Sequence, residues 1–222
     1  MEIPVEIHSQ EWQLWRSCVY LSLARLYRQE PDQEVLQAIS EQRGLACLFE
    51  EMNSVLPIVA EMESDISANA YEAGAYQEQL SEDYNRLFTG PGPLVAPPWE
   101  SVYRSKERLI FGEQTLAVRA FYHSFGLKAT KQAQEPEDHI ALEFEFLGWL
   151  CQQAAKASSP LEAQPFLTGQ RDFFAGHVLE WVPVFCEDVR QGSETVFYRS
   201  LAQLTVAWLA IENKAAHIGK NA

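Results

Sequence analysis

Basic residues are scarce in this 222-residue chain, where 17 Lys+Arg stand against 31 Asp+Glu for a formal net charge of −14. That balance repels phosphate backbones and anionic lipid, which excludes non-specific nucleic-acid or membrane-surface binding and makes a cationic partner the natural complement. Cysteine is sparse too. Cys18, Cys47, Cys151 and Cys186 lie far apart with no Cys-x-x-Cys pair, so a disulfide framework is excluded and buried free thiols are expected. Long apolar runs are missing, since no segment approaches ~18 apolar residues without a charge. The opening Met-Glu-Ile-Pro-Val-Glu is acidic where a secretory signal would be basic. Those two absences predict a cytoplasmic protein with no membrane insertion.

Period-two apolar alternation is also absent, and spacings of three and four dominate. With 47% hydrophobic and 12% aromatic residues, the chain can bury a core large enough to offset its entropy. Ser9 is placed to cap a helix carrying Trp12, Trp15, Val19, Leu23, Leu26 and Tyr27, and Pro31 suits the first turn of a second that stops near Gly44. A third begins at Asn53 or Ser54 with Pro57 early in it, and a fourth runs from about Ala70 to Phe88. Thr89 to Trp99 holds four prolines and two glycines, so no helix crosses it. Its Leu94, Val95 and Trp99 argue for an ordered loop rather than a linker.

Helical spacing resumes after Gly112 with Leu116, Val118, Phe121 and Phe125, and Gly126 is the stop. Leu127 to Gln134 reads as a connection. Pro136 to Lys156 reads as a helix that is apolar almost all round and therefore central, with Glu137 and Asp138 complementing the dipole at its start. Ser159-Pro160 opens the next helix, and Glu194 to Asn213 closes the chain. The expected fold is one all-α domain of about eight to eleven helices over 1–222.

Local chemistry gives little sign of an enzyme. His139 and Glu143, four apart on one helix face, are at a separation that metal ligands use, but zinc wants three or four protein ligands and no second His is near. Gly90-Pro91-Gly92-Pro93 lacks the Gly-Lys-Ser/Thr of a phosphate loop. No cofactor is expected. What stands out is Tyr84, Pro97, Pro98, Trp99 and Tyr103, aromatics beside a stiff proline stretch, together with Glu137-Asp138-His139. Each aromatic taken singly also suits a core. Taken together with the charge of −14, they suit an extended peptide with arginines, because aromatic and proline surfaces grip peptides at low entropic cost and carboxylates bind Arg strongly.

Three stretches carry a Pro-Pro-Trp loop and a Glu-Pro-x-Asp-His helix opening in one order and spacing. They are YNRLFTGPGPLVAPPWESVY from Tyr84 to Tyr103, LIFGEQTLAVRAFY from Leu109 to Tyr122, and EPEDHIALEFEFLGWL from Glu135 to Leu150. Over these residues the sequence resembles the TorD/DmsD family of redox-enzyme maturation chaperones. The resemblance implies a cytoplasmic, all-helical protein that is not an enzyme. It would bind the twin-arginine signal peptide and the body of a molybdopterin oxidoreductase subunit until its cofactor is inserted, before export. By motif position the client-binding residues would be Tyr84, Pro98, Trp99, Gly112, Asp138 and His139, to which the chemistry above adds Tyr103 and Glu137. Asp138, with Glu137, would meet the arginines, while Trp99, Tyr103 and Tyr84 would line an apolar groove. Gly112 is expected to serve the backbone through a positive φ or a close approach. Glu100 stands where some relatives have a small residue. The resemblance also admits a guanine nucleotide, while the Thr89 to Trp99 and Leu127 to Gln134 connections, as hinge candidates, admit either a monomer or a domain-swapped dimer. Two alternatives stay open: a metal- or nucleotide-dependent hydrolase using His139 and Glu143, and a permanent structural subunit of an oxidoreductase complex.

Overall fold

Helices form where the sequence supplies both a starter and an apolar stripe. The computed structural model describes residues 9–40, 48–49, 52–128 and 135–218. In chain order it has α1 (Gln10–Arg28), α2 (Gln33–Ser40), α3 (Leu56–Ala68), a 3-10 turn (Ala70–Glu72), α4 (Ala73–Tyr84) and a π-helical turn (Asn85–Thr89). These are followed by α5 (Glu100–Arg104), α6 (Glu113–Ser124), α7 (Ile140–Lys156) and α8 (Pro160–Phe173). A second π-helical turn (Phe174–Val178), α9 (Leu179–Gly192) and α10 (Val196–Ile218) complete it. The fold is all-α, as the sequence predicts. Among the described residues the one β feature is an isolated antiparallel bridge between Trp99 and His139, and no helix is long and apolar enough to cross a membrane.

Several helix ends follow their expected chemistry. The Ser9 hydroxyl accepts from the Trp12 N–H at 3.2 Å and Ser159 from Glu162 at 3.3 Å, each filling an orphan donor of a first turn. Gly126 takes φ +74, and the Gly126 and Leu127 N–H groups return to the carbonyls of His123 and Tyr122, a left-handed cap for which glycine is suited. Other expectations are corrected. α2 starts after Asp32, whose carboxylate accepts from the Val35 N–H at 2.9 Å, so Pro31 lies outside it; the stop near Gly44 lies outside the described residues. The single helix over 70–88 is instead a 3-10 turn, α4 and a π turn. The π turn closes on Gly90, whose N–H donates to the Asn85 carbonyl at 2.6 Å, and a methyl on Gly90 would fall 2.6 Å from that same oxygen.

The chain gathers into two compact units. One holds Gln29–Pro97 and the chain from Phe185 onward. In it α10 packs on α3, and buried Asp83 fixes the start of α10, accepting from the Glu194 N–H, the Thr195 N–H and the Thr195 hydroxyl at 2.8–3.0 Å. Its other oxygen takes Arg86 at 2.5 Å, and that guanidinium also reaches the Gly192 carbonyl at 2.6 Å. The proline loop is ordered as expected: Val95 and Ala96 donate to the Arg86 and Leu87 carbonyls.

The other unit holds the described residues up to Arg28 and Pro98–Val184. Its centre is α7, packed lengthwise on α1 and against α8. A methyl on Gly148 would lie 3.0 Å from Leu21, which is how closely α1 and α7 approach. Phe121, Phe125, Phe146 and Phe173 form an aromatic cluster with ring centroids 4.9–5.9 Å apart. Leu116, expected on the apolar face of α6, is 58% exposed; the buried face is Thr115, Val118 and Tyr122. Cys151 and Cys186 are buried, as expected, whereas Cys18 is exposed on α1 and corrects the expectation for that residue. Cys47 lies outside the described residues.

Candidate functional site

Two prolines in succession force an extended chain: the first is pushed toward β or polyproline geometry by its successor, and the second has φ fixed and no N–H to satisfy. Pro98 therefore enters as a short strand-like piece, with Trp99 at φ −126 and ψ 132. It runs antiparallel to the segment before α7. The Ile140 N–H donates to the Pro98 carbonyl at 2.9 Å, and the Glu100 N–H to the Asp138 carbonyl at 3.0 Å. Trp99 and His139 thus form a non-hydrogen-bonded pair, in which side chains come close on one face. The indole meets the imidazole edge-on, at 5.8 Å and 77°. Trp99 is partly exposed, yet its indole N–H is buried with no hydrogen-bond partner among the described residues.

This pairing moves the start of α7. Its N-cap is His139, held extended, so Pro136, Glu137 and Asp138 precede the helix rather than forming its first turn. The His139 Nδ1 accepts from the Ala141 N–H at 3.1 Å. Burial, reinforced by the Arg28 charge, lowers the His139 pKa to about 3. The imidazole is therefore neutral, and its 3.8 Å approach to Glu135 is not an ion pair.

The carboxylates are engaged within the fold. Asp138, fully buried, accepts from the Ser101 N–H at 2.8 Å and the Thr115 hydroxyl at 2.7 Å, joining the starts of α5 and α6. Glu137 takes the Arg119 guanidinium in a two-point grip at 2.7 and 2.8 Å, and its carbonyl accepts from the Tyr122 hydroxyl.

The nitrate reductase delta subunit family model matches residues 56–187. The chain belongs to this family. A Tat proofreading chaperone DmsD from Salmonella typhi is 32% identical over 134 residues, 60% of each chain. A chaperone protein TorD from Vibrio parahaemolyticus is 24% identical over 200 residues, 89% of this chain and 93% of its own. The match thus spans three fifths of the length of the DmsD relative. These names support the TorD/DmsD resemblance read from the motifs between Tyr84 and Leu150.

In this member of the nitrate reductase delta subunit family, Pro98, Trp99, Asp138 and His139 come together directly, with Glu137 beside them. Gly112 joins the group, since a methyl on it would lie 3.5 Å from the Ser101 Cβ. Its φ is −82 and a methyl there would meet nothing nearer than 3.4 Å, so neither the expected positive φ nor a close approach is found; the non-glycine residues in the left-handed region are Arg108 and Phe111. Tyr103 lies partly exposed in α5, with its ring 5.4 Å from that of Trp181 and the Arg108 guanidinium 5.5 Å over it. Tyr84 belongs to the other unit, buried against Phe88 and Tyr198.

His139 and Glu143 turn to different partners. Glu143 accepts from the Trp181 indole N–H at 3.0 Å, and burial followed by the nearby Glu100 charge raises its pKa well above the usual value. Buried Glu100 is held by Arg104 at 2.5 Å and His177 at 2.9 Å. Sequence reasoning missed Ser101, Thr115 and Arg119, the partners of the acidic pair. The one signal was their presence inside the quoted motifs.

Proposed function

We propose that this chain is a cytoplasmic redox-enzyme maturation chaperone, not an enzyme, working as one domain over 1–222. It binds the twin-arginine signal peptide and the body of a molybdopterin oxidoreductase subunit and holds that client until its cofactor is inserted. The observation that carries this reading is the similarity to relatives named Tat proofreading chaperone DmsD and chaperone protein TorD. The physical chemistry supports it: a chain of net charge −14 attracts the paired arginines. Trp99 and Tyr103, partly exposed, offer apolar area to the stretch that follows the arginines.

Within this reading Pro98, Gly112, Glu137, Asp138 and His139 shape the surface that carries Trp99 and Tyr103, because their polar groups already have partners. Tyr84 supports the other unit from its core. The test is affinity capture from cells grown anaerobically. Retention of one twin-arginine precursor, lost when its signal is deleted, supports the proposal. Equal retention of the mature enzyme favours a permanent structural subunit. Light scattering and a guanine-nucleotide titration on the same preparation read the oligomeric form and any nucleotide binding.

A further inference from the structure

Two carboxyl groups meet in the interior with too few donors for two charges. Glu100 of α5 and Glu143 of α7 are both fully buried. The Glu100 oxygens take Arg104 at 2.5 Å and the His177 Nδ1 at 2.9 Å, so a cation and a ring nitrogen hold its charge. Glu143 is placed differently. Its Oε2 accepts from the neutral Trp181 indole N–H at 3.0 Å, while its Oε1 is buried with no donor to meet it among the described residues, within hydrogen-bonding reach of Glu100.

An ionised Glu143 would set an oxygen with unmet lone pairs against a second buried anion, which is unfavourable on both counts. A neutral Glu143 removes both. Its Oε1 becomes an O–H that donates to Glu100, and its Oε2 stays the acceptor for Trp181. Burial first, then the Glu100 charge, raises the Glu143 pKa well above the usual carboxylate value. The neighbouring groups do not reverse this. Asp138, ahead of α7, adds negative charge, and Tyr122 of α6 is kept a neutral phenol by burial and then by Glu143 itself. Arg104, 3.9 Å from Glu180 of α9, is committed to Glu100 and to the Gly176 carbonyl. All these residues belong to the same compact unit.

Trp181 meets Glu143 through its N–H and Tyr103 through its ring, at 5.4 Å and 33°. Tyr103 is also three residues after Glu100 on α5. The two carboxyl groups thus hold Tyr103 from two sides, through the helix that carries it and the ring it rests on.

We propose that Glu143 carries a proton at neutral pH and donates it to Glu100, and that this acid–carboxylate pair is the positioning element for Tyr103. The use of Tyr103 as client surface rests on the chaperone reading above; the shared proton does not.

Infrared difference spectra of the full chain at pH 7 read the proton, as the carbonyl band of a protonated carboxylic acid. The band is expected in the parent and absent from Glu143→Gln, whose amide offers an N–H to Glu100 and a carbonyl to Trp181 and so copies the neutral acid. Trp181→Phe assigns it independently, by moving it to higher frequency when the carbonyl loses its indole donor. An unfolded glutamate ionises near 4.5, so the parent takes up a proton on folding and is destabilised as the pH rises. In urea melts its unfolding constant is expected to rise about tenfold per pH unit between pH 5.5 and 7, relative to Glu143→Gln. Placement of Tyr103 is read by its nitration with tetranitromethane, followed by mass spectrometry. Glu143→Leu, which keeps neither bond, is expected to speed nitration at least fivefold, and Glu143→Gln to stay within twofold of the parent. Affinity for a synthetic peptide with two adjacent arginines followed by about fifteen apolar residues is expected to follow the same order, weakened at least fivefold in Glu143→Leu only. Identical infrared spectra for the parent and Glu143→Gln, or parallel pH profiles, overturn the shared proton. Unchanged nitration in Glu143→Leu overturns the positioning role. A parent that binds no peptide, with the band and the nitration difference intact, refutes the chaperone reading and not this pair.

Discussion

Asp138 is the residue on which the arrangement of α5, α6 and the start of α7 turns, and removing it has a calculable effect. Its two oxygens accept from a buried backbone N–H and a buried hydroxyl. Hydrogen bonds to a charged group are worth about 1.5–3 kcal/mol each, and an orphaned buried donor adds to the loss. Asp138→Ala is therefore expected to cost roughly 3–5 kcal/mol. Asp138→Asn, which keeps one acceptor, costs about 1–2 kcal/mol. For a chain of this size, about 2–4 °C of midpoint shift per kcal/mol makes the alanine change a fall of roughly 6–20 °C. Thermal melting followed by far-UV circular dichroism reads it. A double-mutant cycle isolates the cause: Thr115→Val costs about 1–2 kcal/mol alone and almost nothing in the Asp138→Ala background. An alanine variant within about 0.5 kcal/mol of the parent, or an additive cycle, would refute the clamp.

Other consequences can be checked in parallel. His139 has a folded pKa of about 3 against 6.5 unfolded, so the unfolded state binds the extra proton and stability falls as pH drops from 6.5 toward 3. At about 1.4 kcal/mol per pH unit the loss is about 2 kcal/mol by pH 5. Glu143, with its pKa raised in the fold, works in the opposite direction above pH 4.5. The His contribution is therefore read as the difference between the parent and His139→Asn in urea melts at pH 6.5 and 5, and parallel pH profiles would sink it. Gly90→Ala would meet the Asn85 carbonyl at 2.6 Å, whereas a methyl on Gly92 has nothing within 4 Å. The first change is expected to cost roughly 1–3 kcal/mol and the second close to nothing, and equal melting points would contradict the π-turn account. Arg104→Ala leaves the buried Glu100 carboxylate without its guanidinium partner. It should lower stability by about 2–4 kcal/mol, a loss relieved by adding Glu100→Gln.

The sequence exposed local events and concealed distant ones. Ser9, Ser159 and Gly126 act through neighbours within five residues, so their caps could be read directly from spacing. The start of α7 could not: it is set by pairing of His139 with Trp99, 40 residues earlier in the chain, which overrides the helix-start chemistry of Pro136 and its acidic neighbours. α5 was missed because five residues carry too little periodicity. Leu116 was misplaced because an apolar spacing does not say that Thr115, beside it, is bound to Asp138. For the site, the motifs brought the right residues to notice, yet a carboxylate's partner cannot be read from the carboxylate, and Asp138 finds its partners 37 and 23 residues away.

The most direct test of the account is a calorimetric titration of this chain with the synthetic twin-arginine peptide and with its counterpart carrying Ala in place of both arginines. The account predicts saturable one-to-one binding of the first at micromolar or tighter affinity, at least tenfold weaker binding of the second, and a further loss in Trp99→Ala. Absence of binding, or equal affinity for the two peptides, would contradict it.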